Sequence, residues 1–584
     1  MAAGLNQLPF EILNYIVKNF DQVNTIVSFS QLSRRFNQYV KLDGYRVFIL
    51  EQHPCYQKTG DWIYVIRSLT ALSRAWSRKA FIARKLRPPN HGPGLIRLPD
   101  DQKLLAATTV PSYRRQTMGY QPVIDCYESW LTGSSSEVLI WGAGAELIMR
   151  LKSEKLQSHT ELAAKQSGSS IRSSDGTLQW ISYKPKDMLD GRDDITAAKL
   201  LRPNQVYDDG KQHVILGRAS GHLQHITIDK FGAEVQNLSS STASIDCADV
   251  TRSGCPIIAA CLDREKVVLH RLDSLDNHDD EPIEFEFSEK GKSEAIWSMK
   301  FLSNTLLAIG KGSKNRSLSL LQVTPAGLTE ASFTTTSQNV ADPIYAIEPL
   351  HDNPNLFLTG HYRGHVQLND LRIPNGPAAT YDDPMDSSAI YSLLPMAGHR
   401  FIAGGARHCL LKFFDIRRPN WSRSSYTANP NSTTSQISTY NIYLPTVDLR
   451  IKKTSPAYAL SATSPHASTF YAGVENVVVQ MDLHSVTDHR ARPNGGIPLL
   501  DRVSPTQTQL RKETQALALL EYGSDGGLAF VHQGDLGYQR PRLPRESKFS
   551  EGYDDCWKEA DTSQTWRPMP PGSPETVIGS MGGR

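Results

Sequence analysis

The chain is 584 residues long and 39% hydrophobic, with 63 Lys+Arg against 60 Asp+Glu. Its length accommodates roughly two to four domains, and its balanced charge argues against a dedicated nucleic-acid binder while leaving room for a local basic face. The seven cysteines include no CxxC pair, which argues against a disulfide or zinc framework and for a reduced, intracellular protein, and without a run of about 18 uncharged apolar residues no transmembrane helix is expected.

Residues 1–45 read as three short helices. In "LPFEILNYIVKNF" (8–20), Pro9 suits a first helical position and Glu11 the positive helix end. Ile12, Leu13, Ile16, Val17 and Phe20 recur at helical spacing. Asp21 predicts the cap of a second helix containing Val23, Ile26 and Val27, and 30–40 a third with Leu32 and Phe36 four apart. Three thin helices cannot build an adequate core alone, so this apolar surplus calls for a partner surface. Residues 46–120 read as a helical linker and connector. One long helix is expected over 61–86, striped by Ile66, Leu69, Leu72 and Trp76, and a Pro/Gly/Arg-rich connector over 87–120. The N-terminus lacks a basic segment followed by an apolar run, so no signal peptide is expected.

From 121 to 535 the apolar period falls to two. "AIWSMKF", "PIYAIEP", "AIYSLLP" and "PAYALSA" repeat one pattern, with Trp297, Tyr345, Tyr391 and Tyr458 at the same place in each. A second strand follows each ("TLLAIG", "LFLTGH", "RFIAGG", "TFYAGV") and then a third ("RSLSLLQV", "GHVQLNDLR", "CLLKFFDIR", "VVVQMDLH"). Weaker copies begin at 137, 213 and 256. Repeats of about 40–50 residues with several short strands are propeller blades, which hide their edges by stacking in a ring. Seven blades are counted, with eight as the alternative, and 515–532 is expected to help close the ring. Polar insertions are expected at 153–176 and 419–453, and a disordered tail at 536–584. The fold class is therefore mainly β: a propeller preceded by a small all-α block and a helical linker.

Two resemblances follow from these residues. Asn369-Asp370, Phe414-Asp415 and Met481-Asp482 close third strands as the Trp-Asp pair does in WD repeats, with Asp kept and Trp lost. The blades thus resemble a divergent WD-type propeller. The resemblance implies a structural role for Asp370, Asp415 and Asp482, in a buried turn shared with the His of a Gly-His pair. Gly221-His222 and Gly360-His361 have those letters but lie in the wrong part of the blade. The opening Leu8-Pro9-x-Glu11-Ile12-Leu13 and the later Ser-x-Leu-Ser-Arg-Arg-Phe are similar to the F-box. That resemblance implies binding to a Skp-family adaptor and through it to a cullin. Leu8, Pro9, Ile12, Leu13, Ile16, Leu32 and Phe36 would face the adaptor or support that face. Leu32-Ser33 stands where the family often has Val-Cys. Together the two parts resemble F-box/WD-repeat substrate receptors of SCF (Skp–cullin–F-box) ubiquitin ligases.

The turns between second and third strands place Arg218, Arg264 with Lys266, Lys311 with Lys314 and Arg316, Arg363, and Arg407 with His408 on one propeller face. Cations gathered from separate blades attract carboxylates or phosphates, so the expected protein substrate presents an acidic or phosphorylated segment. Asp263, Glu265 and Glu475 share these positions, and exposed turns carry cations anyway. "GKGSKNRS" (310–317) lacks the phosphate-loop pattern and a following helix, and GxSxG and HExxH are missing. The chain reads as a non-catalytic subunit with no metal, cofactor, nucleic-acid or membrane partner, resident in the cytoplasm, the nucleus or both. The rivals are a WD-type scaffold outside ubiquitination and an enzyme that uses the propeller channel.

Overall fold

The structure is a computed structural model. It describes residues 8–483 and two strands within 517–532, apart from short breaks and the longer stretches 54–61, 99–118, 156–176, 273–281, 332–341, 418–439 and 445–454. Arg316, Lys314, Asp21 and the 536–584 tail lie outside the described residues.

The helical block comprises α1 (Phe10–Lys18), α2 (Val23–Gln31), α3 (Arg34–Tyr39) and α4 (Tyr45–Gln52). α1 starts one residue after Pro9. The third helix begins at Arg34 rather than at 30, because Ser33 stops the chain and caps it: its hydroxyl accepts from the Phe36 N–H at 3.2 Å. Leu13, Val17, Ile26, Phe29, Phe36 and Tyr39 form the core, joined by Val47, Phe48 and Ile49 of α4. The first three helices do not make this core alone: the later helices of the same chain help to complete it, where the sequence reading looks to a partner surface.

The single helix expected over 61–86 is also corrected. α5 (Trp62–Ser77) stops early, and the chain continues as strand β1 (Ala80–Leu86). α5 is amphipathic at two levels. Val65 and Ile66 enter the helical core, while Leu72, Ala75 and Trp76 enter the core of the last blades. The Trp76 ring meets Phe413 edge-on at 5.0 Å, and the Arg400 guanidinium lies 5.1 Å from the centre of the same ring. Both ends of α5 are thus packed, which fixes the helical block against the propeller.

Seven sheets form the propeller. Their innermost strands are Ile124–Leu131, Ile195–Leu200, Ile245–Val250, Ile296–Ser303, Ile344–Pro349, Ile390–Met396 and Ala457–Ala462, numbered here as blades 1 to 7. Each touches the next, and blade 7 returns to blade 1. Blades approach closely where the second strand carries glycine. A Cβ at Gly217 would lie 2.5 Å from Ile245 of the next blade, and one at Gly360 2.7 Å from Ile390. The recurrent Ile and Gly of the repeats are the two halves of this contact.

Closure differs from expectation. β1 pairs antiparallel with Val477–Asp482, from Ile82 opposite Asp482 to Leu86 opposite Val478. An N-terminal strand therefore completes the C-terminal blade. Phe81 and Ala83 are buried there beside Leu411, Phe413 and Met481. The strands Leu517–Tyr522 and Leu528–His532 add outside β1 rather than closing the ring. The stretch read as connector holds β2 (Leu95–Leu98), which joins blade 1 parallel to Thr177–Tyr183. Glu146–Lys155 and Tyr440–Tyr443 likewise run as strands into the two stretches read as insertions.

Candidate functional site

Two surfaces follow from this architecture. On the helical block, the residues expected to serve an adaptor divide into three groups. Leu13 and Phe36 are fully inside the core. Leu8 and Ile16 are half-buried against it. Pro9, Ile12 (48% exposed) and Leu32 (67% exposed) face solvent. Phe10 and Tyr15, which sequence reasoning did not single out, are exposed with them, as are Val27, Leu42 and Leu50. Ile12 and Tyr15, three apart in α1, share one side of the helix. The start of that helix is tied down: Arg35 donates to the Leu8 carbonyl at 2.6 Å and lies 5.8 Å from the Phe10 ring centre. Tyr39 donates to Asn14 Oδ1 at 2.6 Å and packs against Phe10. The exposed apolar side chains therefore stand on a braced helix.

On the propeller, the expected cations also divide. Arg218 is 0% exposed, donating to the carbonyls of Ala145 (3.3 Å) and Asp193 (3.2 Å) and to Gln224 Oε1 (3.2 Å). It braces blades 1 and 2 from within. Lys311 is buried, its ammonium 4.8 Å from the Phe287 ring centre. Both end a second strand, and the strand end is inside the blade rather than in its turn. As binding cations at an open surface they are corrected. Arg264, Arg363 and Arg407 are exposed or partly exposed. Arg264 covers Trp297 at 4.4 Å and pairs with Asp246 at 3.5 Å.

Beside Arg264 the repeat aromatics form an arc. Trp297 meets Tyr345 at 5.0 Å, Tyr345 meets Tyr391 at 5.2 Å, and Tyr391 stacks on Tyr458 at 6.2 Å. Each follows the first residue of its inner strand, at the point where the pairing shifts register. That bulge turns the ring toward the channel and leaves it half-buried. Burial, then neighbouring tyrosines, raises the Tyr345 and Tyr391 phenols above their ordinary range; for Tyr458 burial and then Glu475 do so. These hydroxyls stay protonated donors.

On the inner strands of blades 1 to 5 charge alternates: Asp125 in blade 1, then Lys199, Asp249, Lys300 and Glu348, each the fifth residue of its strand. Lys199 and Asp249 pair at 3.1 Å, Lys300 and Asp249 at 3.7 Å, and Lys300 and Glu348 at 2.6 Å. Burial opposes charge on Asp249, but Lys300 and Lys199 outweigh it and hold the carboxyl below its ordinary range. Lys199, Asp249, Lys300 and Glu348 are thus paired among themselves and read as a clasp, while Asp125 pairs with Arg202 at 3.3 Å. No sequence motif announces the clasp, since the members are about one blade apart.

The strand-closing aspartates are structural by a different route from that implied by the WD resemblance. Asp370 takes both prongs of Arg372 at 2.9 and 2.7 Å, and Asp415 those of Arg417 at 2.9 and 2.6 Å. Asp482 accepts from Thr469 at 2.7 Å and from Gln480 at 3.0 Å. In blade 5, Asn369 occupies the place of the Trp and donates to Thr359 at 3.0 Å, which in turn meets His361 Nε2 at 3.0 Å. His361 therefore sits in a buried network, but from the end of the second strand.

Residues 5–47 match the F-box domain family. No curated protein matches the chain.

Proposed function

From an F-box domain joined to a seven-bladed β-propeller, we propose that the chain is the substrate-recognition subunit of an SCF ubiquitin ligase. The observation that carries this reading is the exposed apolar face of Pro9, Ile12, Tyr15 and Leu32 within the matched F-box residues. F-box domains generally bind a Skp-family adaptor, and an apolar face of this kind on a braced helix suits helix-on-helix docking. The adaptor then connects the chain to a cullin. The propeller holds a protein substrate, and α5 sets the distance between the two ends. Catalytic gain is effective concentration: substrate lysines are held near a charged conjugating enzyme. The chain itself supplies no reacting group in this reading, and it works in the cytoplasm, the nucleus or both.

For the substrate, Arg264, Arg363 and Arg407 remain as exposed cations at the propeller turns, and Arg264 lies over Trp297 at one end of the aromatic arc. Guanidinium and phenol donors together suit a phosphate or carboxylate. The aromatic faces suit an adjacent apolar side chain. An acidic or phosphorylated protein segment is the substrate class this composition favours. The experiment is paired: capture of the purified adaptor by full-length chain, wild type against Ile12→Asp/Leu32→Asp, and ubiquitination of captured substrates by the reconstituted ligase. Loss of both in the variant supports the reading. Adaptor capture by the variant equal to wild type favours a scaffold outside ubiquitination.

A further inference from the structure

We propose that Asp342, His361 and His365 form a binding site for a zinc-type divalent cation in blade 5. Their ligand atoms lie within 4.8 Å of one another. The antiparallel pairing brings them together at one end of one sheet. Asp342 precedes the inner strand Ile344–Pro349, His361 ends the second strand, and His365 precedes the third. Between the histidines the turn closes tightly. The His361 N–H donates to the His365 carbonyl at 3.0 Å, and the Gly364 N–H to the His361 carbonyl at 3.1 Å. Gly364 has φ 84°, and a Cβ there would lie 2.6 Å from the Ser387 backbone, so this close turn requires glycine.

The turn stacks the two imidazoles, with centroids 4.3 Å apart and planes 15° from parallel. Both Nδ1 atoms face the same carboxylate oxygen, Asp342 Oδ2, at 3.9 Å for His361 and 3.6 Å for His365. Both Nε2 atoms turn away to outer partners. His361 Nε2 meets Thr359 Oγ1 at 3.0 Å, and His365 Nε2 meets the Gln367 side-chain amide at 3.3 Å. Metal-binding histidines are held in this way: the outer N–H is given to a neighbour, which fixes the tautomer and leaves the inner lone pair for the ion. The Gln367 amide nitrogen faces His365 Nε2; turning the amide over puts its oxygen there to accept the Nε2–H, which gives His365 that tautomer.

An independent observation points to a ligand. His361 is 4% exposed, and its Nδ1 is buried without a hydrogen-bond partner. An unmade bond at a buried ring nitrogen is costly, and it is aimed into the cluster. The Arg363 backbone N–H reaches Asp342 Oδ2 at 3.0 Å, so one carboxylate lone pair is already used.

The donor set selects the ion. Two imidazole nitrogens and one carboxylate suit Zn²⁺ and similar borderline ions, whereas Ca²⁺ and Mg²⁺ take oxygen ligands. Ligand bonds of about 2.0–2.2 Å require the two rings to tilt together out of their stack. His365 is the most open of the three, and water completes the coordination from that side. The sequence signal is "HYRGH" (361–365), a His-x3-His spacing of the kind that zinc ligands use.

The test uses full-length chain stripped with a chelator and titrated with Zn²⁺ and Co²⁺. Wild type is expected to gain visible Co²⁺ bands and a Zn²⁺-dependent rise in melting temperature. His365→Ala is expected to lose both while its metal-free melting temperature stays near wild type. Thr359→Val, which removes the outer partner of His361, is expected to weaken binding about 10–100-fold. His225→Ala, at the other stacked histidine pair, is expected to bind as wild type. A wild-type chain with neither response overturns the site, as does His365→Ala with wild-type affinity.

Discussion

The helical block and the propeller spend their side chains in opposite ways. Of the exposed large apolar residues among those described, Phe10, Ile12, Tyr15, Val27, Leu32, Leu42 and Leu50 lie in the block, while Leu178, Leu189, Phe231, Val235 and Ile373 are scattered over a β region many times longer. The propeller instead carries charge inside: Asp249 and Lys300 are paired, and Arg218 is enclosed and donates to backbone carbonyls. A ring of blades can close on itself, and β1 completes it from the other end of the chain. A four-helix block of this size builds a core from α4 and α5 but has surface left over. The block therefore keeps apolar surface open on a fixed base, whereas the propeller closes on itself.

The largest expected effect breaks the propeller and spares the block. Phe81→Ala removes a fully buried ring at the closing strand and should cost about 3–5 kcal/mol. Calorimetry should show the propeller transition falling while adaptor binding at low temperature persists. Asp249→Asn comes next. It leaves Lys199 and Lys300 without their shared partner, and removing one member of such a set costs about 3–5 kcal/mol when fully buried; partial exposure of both lysines places it at the low end. The sign with pH follows from the depressed carboxyl. Its contribution is fully present above the ordinary value of 3.8 and is lost as pH falls through the lower folded value. Wild type should lose more stability than Asp249→Asn when acidified below about pH 4, measured by denaturant melts. Asp342 runs the other way. A carboxyl raised to about 6 favours the fold below 3.8 and works against it as pH rises through 6. Metal-free Asp342→Asn should therefore gain stability relative to wild type at pH 8.

Smaller still is Asp415→Ala, which frees Arg417 from its two-pronged contact and should lower stability by about 1 kcal/mol, a shift of roughly 2–4 °C in Tm. At the bottom stands Arg363→Glu/Arg407→Glu. Both side chains are exposed, so stability should move by less than about 0.5 kcal/mol. Capture of an acidic or phosphorylated substrate should nevertheless fall at least about tenfold. Unchanged capture would move substrate binding away from these turns.

The same contrast governs what the sequence made legible. Blades were readable because period-two strands, the Ile of the inner strand and the Gly of the second repeat in fixed order. β1 was not, because no Gly or Pro separates it from α5 and its partner strand lies at 477–482. The apolar stripe of α1 was readable, but not its division into core and surface: Leu13 and Phe36 turn inward because α4 and α5 lie behind them. The charged clasp was invisible, since only the ring topology brings its members together. Arg218 and Lys311 were misplaced by a single position, from turn to strand end, and that step moves a cation from solvent to interior.

The central claim is that the block's exposed apolar face is a binding surface and not an accident of packing. Titration calorimetry of full-length Ile12→Asp/Leu32→Asp against a purified Skp-family adaptor, with thermal melts in parallel, tests it most directly. The account predicts at least about a hundredfold loss of affinity, with a melting temperature equal to that of wild type. Wild-type affinity in a folded variant would contradict it.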